Sequence, residues 1–127
     1  LAPMPGPLVR SLGDVRELRW RRLLPGVRAV DLPTRTAGST ARLVRFRPGF
    51  VIPLHDHEAP EYTLIVSGTL HEAGETASRG DLVAREPGDQ HVQTIGAEDE
   101  CVALVVHEGP LVPLTFLGRL LKRLGGV

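Results

Sequence analysis

Three groups able to hold a metal cation stand close together in the segment PGFVIPLHDHEAPEYTLIVSG: His55, His57 and Glu61. Imidazole nitrogens and carboxylate oxygens are donors that zinc and iron share. On an extended strand the side chains repeat every two residues, so His55 and His57 project to one side. Glu61 has the same parity, with Pro60 placed to adjust it. Thr63 and Ile65 then share that side, and Tyr62, Leu64 and Val66 take the other. Both sides of the run EYTLIVSG are largely apolar, so both are expected to be covered. Inward imidazoles and a carboxylate are costly there unless they are partnered. A divalent cation satisfies them together. His91, at the head of HVQTI, offers a fourth donor. The expected ligands are therefore His55, His57, Glu61 and His91, around one divalent metal. Zinc is the first choice, and iron, manganese or nickel are the alternatives. His71 is near enough in sequence to stand behind the ligands. His107 follows a buried-looking strand and reads as a surface or strand-end residue.

The elements around these residues read as short strands. GVRAVDL sets Val27, Ala29 and Asp31 against Arg28, Val30 and Leu32. TARLVRFRPG sets Leu43, Arg45 and Arg47 against Val44 and Phe46. EYTLIVSG, DLVARE, HVQTI and CVALVV follow, separated by Gly, Pro and Asp clusters. Many short strands with such punctuation predict an antiparallel sandwich or barrel. The period changes at the end: Phe116, Leu117, Leu120, Leu121 and Leu124 form one helical stripe, with Arg119, Lys122 and Arg123 off it. A short C-terminal helix is expected there, packed on the strands or on a partner subunit. At the start, Pro3, Pro5 and Pro7 suggest an extended arm, and SLGDVRELRW a short helix or irregular lead-in. Residues 1–17 are accordingly expected to be an N-terminal arm or linker remnant, and 18–127 one domain. A start at Leu1 instead of Met suggests a fragment or a processed product.

Composition narrows the class. The chain has 127 residues, 42% hydrophobic and 24% charged, as a soluble single domain would. Fifteen basic residues balance fifteen acidic ones, which gives no support to direct nucleic-acid binding. No apolar run approaches a membrane span, and LAPMPGPLVRSLG lacks the pattern of a secretion signal. The one cysteine, Cys101, permits no internal disulfide and reads as a small buried hydrophobe. A cytoplasmic location is expected.

The glycine-bracketed spacing carries a resemblance. Gly49, His55, His57, Glu61 and Gly68 stand as in the first motif of the cupin superfamily. Gly80, Gly88 and His91 match its second motif; Glu86 replaces the usual proline, with Pro87 after it, and Ile95 the usual asparagine. This resemblance implies a cupin jelly roll, a double-stranded β-helix barrel of the all-β class, with a metal inside its mouth. LRWRRLLPGVRAVDLP, RGDL, EDECVALVVHEGPL and FLGRLLKRLGGV further resemble the C-terminal cupin domain of ChrR-family anti-sigma factors. That implies zinc on the same three histidines and glutamate. It also implies an anti-sigma domain and an extracytoplasmic-function sigma factor as partners, and release under singlet oxygen or related oxidants. The family's His-x3-Cys-x2-Cys zinc motif is absent from this sequence, and Ala103 stands where relatives often carry a second cysteine.

Two readings of function follow. The first is a stress-sensing or regulatory metal domain. The second is a small cupin dioxygenase or isomerase using iron, manganese or nickel. An enzyme needs further polar groups inside the barrel. Thr63, Gln93, Tyr62 and Arg85 are the candidates, and only 4% of residues are aromatic. The regulatory reading is preferred. A homodimer is compatible with either.

Overall fold

The computed structural model describes residues 6–34, 38–52, 60–86 and 92–108. His55, His57, His91 and the expected C-terminal helix lie outside these residues. Gly6–Leu12 forms a helix, α1, where the prolines suggested an extended arm. Pro7 sits in its first turn, where a missing backbone donor breaks no helical hydrogen bond. A single 3-10 turn, Val15–Glu17, follows.

The strands are β1 (Arg21–Leu24), β2 (Val27–Leu32), β3 (Ser39–Phe46), β4 (Val51–Ile52), β5 (Glu61–Ser67), β6 (Leu70–Glu72), β7 (Glu75–Ala77), β8 (Leu82–Arg85), β9 (Gln93–Ile95) and β10 (Cys101–Glu108). They form two antiparallel sheets. The larger runs β1-β2-β3-β10-β5-β8 and the smaller β4-β9-β6-β7. This is the all-β cupin jelly roll. Among the described residues no helix is long and apolar enough to cross a membrane.

Strand alternation splits the apolar residues into two clusters. Val27, Ala29, Val44, Ile65 and Ala103 of the larger sheet meet Leu70 and Ile95 of the smaller one, so this cluster fills the space between the sheets. Val30, Leu43, Val66 and Val102 form the second, on the outer face of the larger sheet. Leu12, Leu18 and Trp20 of the lead-in pack against it. Strand β5 thus buries Ile65 inward and Val66 outward, as its two apolar sides require. Full burial of one such side chain stabilises by about 1.5–3 kcal/mol. The alternations read for GVRAVDL and TARLVRFRPG hold: Val44 and Phe46 face inward, Leu43 outward.

Gly68, which ends β5, has φ of 80°. A Cβ there would fall 2.3 Å from the Glu100 carbonyl oxygen and 2.8 Å from the Cys101 Cα. Only glycine permits both the left-handed turn and this approach of β10. Gly49, at the other bracket of the motif, also has a positive φ, 74°.

Candidate metal centre

Directly opposite residues on antiparallel neighbours share a face, so the register assembles the inner wall row by row. One row across the larger sheet is Arg85, Glu61, His107 and Thr40. The next is Val83, Thr63, Val105, Arg42 and Asp31. Ile65, Ala103, Val44 and Ala29 follow. The wall is therefore polar at one end and apolar beyond. On the smaller sheet Glu72, Gln93 and Ile52 form one row, and Leu70 and Ile95 the next.

Glu61 opens β5 in the polar row, half-buried, on the same face as Thr63 and Ile65. It is the one expected ligand among the described residues. Among those residues no three His, Cys, Asp or Glu side chains converge as a metal site.

Its neighbours are engaged with one another. Arg42, 4% exposed, places Nε 2.5 Å from Asp31 Oδ1. His107 Nε2 and Thr40 Oγ1 lie 2.6 Å apart, a hydrogen bond whose direction follows the ring tautomer. Arg85 forms an ion pair with Glu72 of the facing sheet. Asp31, Glu61 and Glu72 set three carboxylates against the guanidinium groups of Arg42 and Arg85. A carboxylate at this polar end is a donor of the kind that a divalent cation uses.

Parity also sorts the remaining candidates. Thr63, Gln93 and Arg85 belong to the inner wall. Tyr62 does not: it lies on the outer face, 39% exposed. His71 is turned outward between the inward Leu70 and Glu72, with Nδ1 2.8 Å from Thr76 Oγ1. It stands on the wrong face of β6 to support a ligand on the inner wall. His107 is a strand-end residue as expected, but it belongs to the polar row beside Glu61. Asp31 had been set on the side of Val27 and Ala29, but Arg42, Glu72 and His107 were not read as inner-wall residues from sequence. Extending the parity of Val44 back to Arg42, and of Ala103 forward to His107, would have found two of them.

Cys101 is buried among the inner apolar residues, 1% exposed. Burial, and secondarily the Glu100 carboxylate, pushes its thiol up to about 11. The thiolate is the reactive form. At pH 8 an alkylating reagent is expected to label the native protein at least ~100-fold more slowly than the urea-unfolded chain. Mass spectrometry of quenched samples checks this, and comparable rates would show the thiol to be accessible.

Residues 9–111 match the family described as the ChrR cupin-like domain. The chain is 29% identical over 119 residues to the anti-sigma-E factor ChrR of Cereibacter sphaeroides, covering 93% of this chain and 55% of that protein. It thus spans about half the length of that relative. Among solved structures it resembles the complex of Rhodobacter sphaeroides SigE with the anti-sigma ChrR, with a TM-score of 0.74 and 28% identity, covering 83% of this chain and 57% of that one. It also shares its fold with KdgF from Halomonas sp., with a TM-score of 0.63 and 22% identity over 76% and 91% of the two chains.

Proposed function

The chain belongs to the ChrR cupin-like domain family, and on that premise we propose that it is a metal-binding regulatory domain of a ChrR-like anti-sigma system. Zinc bound by His55, His57, Glu61 and His91 would be its resident cation, and an oxidant such as singlet oxygen its signal. Its partners would be an anti-sigma domain and an extracytoplasmic-function sigma factor, in the cytoplasm. The observation that carries the reading is the match over residues 9–111, in which Glu61 falls on the polar end of the inner wall.

The chemistry is consistent with a receiver. Four protein ligands close a zinc site, leave no position for substrate and supply no redox activity. The imidazoles remain open to oxidation, and losing one ligand weakens a site whose binding energy is coupled to folding. His91 and the segment REPGDQ would be the sensitive edge, because this ligand stands apart from the other three in sequence.

One observation favours a second reading. The inner wall holds more polar groups than the sequence suggested, as a metal-dependent dioxygenase or isomerase would need. Their mutual pairing, Arg42 with Asp31 and Arg85 with Glu72, argues against that use. Elemental analysis followed by photosensitised singlet oxygen separates the two. The regulatory reading expects a full equivalent of zinc, released to a chromogenic chelator as histidines become oxidised. Retained zinc with unmodified histidines, together with turnover of a small diketone or flavonol by the iron-loaded protein, would replace it with the enzyme.

A further inference from the structure

The outer face of the larger sheet carries a row of cations. The register sets Arg22 of β1 directly opposite Arg28 of β2, and Arg28 directly opposite Arg45 of β3. Parity puts this row outside. Val27 and Ala29, on either side of Arg28, pack inward, and Leu43, two residues before Arg45, belongs to the outer cluster. Neighbouring strands stand about 4.8 Å apart, so three arginines lie side by side across the sheet. Like charges directly opposite one another on paired strands destabilise the pairing.

Arg45 is compensated: its guanidinium lies 3.3 Å from the Glu100 carboxylate and over the ring of Trp20. Arg22 and Arg28 are not. Both are exposed, and neither has an ion-pair partner among the described residues. In this row one carboxylate therefore faces three guanidinium groups, on a chain whose fifteen basic and fifteen acidic residues balance. Strand β1 is an edge of the sheet, where a cation discourages stray strand pairing. That role accounts for Arg22. It does not account for Arg28, which stands on an interior strand and only adds repulsion.

The row ends beside an aromatic ring. Trp20 is half-buried against the outer cluster and borders Arg45. Tryptophan and arginine are the side chains that most often anchor a protein partner. On a helix, carboxylates three or four residues apart are about 5–6 Å from one another, close to the spacing of the arginines. A nucleic acid calls for a basic excess, which the charge balance denies.

We infer that the row Arg22–Arg28–Arg45 is a docking surface for an acidic helix of a partner protein, laid across β1, β2 and β3 with carboxylates over the guanidinium groups and an apolar side chain against Trp20. The row lies toward the end of the sheet away from Glu61. Docking there requires no cation at Glu61, so the inference does not rest on the metal reading.

Calorimetric titration at low salt tests it with the whole chain. The probe is an alanine-based helical peptide of about 16 residues, with glutamates four residues apart and one leucine beside them. It should bind at least about tenfold more tightly than its glutamine counterpart. Arg22→Gln and Arg28→Gln should each weaken it about fivefold or more. Both variants should stay folded by circular dichroism, because neither arginine holds an ion pair within the described residues. Arg21→Gln removes the same charge from the same strand, but on the face of Ala29, and should leave binding within about twofold. Equal weakening by all three variants would reduce the effect to general charge attraction, and no binding of the glutamate peptide would remove the surface; either overturns the inference. Tighter binding of oligothymidylate or of phosphatidylserine vesicles than of the peptide overturns the acidic helix as its occupant.

Discussion

A His57→Ala protein is expected to lose most of its bound divalent metal and to melt about 10 °C below the parent. The estimate follows from linkage. A ligand present at about a hundred times its dissociation constant stabilises the fold by about 2.7 kcal/mol. For a domain of this size each kcal/mol moves the melting temperature by about 4 °C. On the proposed reading His57 is the middle one of three ligands clustered in sequence, between His55 and Glu61. Its removal should therefore cost more affinity than removal of a supporting group. Metal analysis and calorimetry on dialysed protein measure both effects. A full metal equivalent on His57→Ala would remove this residue from the site. Unchanged melting despite lost metal would separate binding from stability.

Arg85→Ala is expected to destabilise the domain by about 3 kcal/mol, because it strands the Glu72 carboxylate in a partly dry cleft. The cost lies mainly in the charge left behind. Replacing both Arg85 and Glu72 by leucine should therefore recover most of it, since an apolar pair needs no partner. Urea denaturation of the two single variants and the double variant gives the coupling directly. A loss below about 1 kcal/mol for Arg85→Ala would place this pair with weak surface ion pairs.

Much of the fold was legible because alternation carries a physical demand. Val44 and Phe46 could be set against Leu43, and Ile65 against Val66, since each must find an apolar neighbour on its own side. Strands too short to show a period escaped: β4 has two residues, and β6, LHE, shows one apolar residue beside two polar ones. The helix at Gly6–Leu12 escaped because proline in a first turn reads the same as proline in an arm. In the site, Glu61 was placed on the inner wall by counting from its own strand. Arg42 and His107 were hidden by chemistry, since a charged or imidazole side chain at an inward position looks like an outward one until its strand neighbours are fixed. Glu72 needed the third dimension, because its partner Arg85 belongs to the other sheet.

Trp20 lies half-buried against the outer cluster, with the Arg45 guanidinium 5.3 Å from its ring centre and Arg45 in turn paired with Glu100. It is the single tryptophan of the chain. Selectively excited indole fluorescence is therefore an internal gauge of one joint, that between the lead-in and the larger sheet, and is blind to the inner wall. Emission that shifts to longer wavelength while the β-sheet circular dichroism stays constant reports the lead-in peeling from an intact barrel. The same shift in step with lost dichroism reports collapse of the whole domain. The molecule thus carries its own optical means of telling detachment from denaturation.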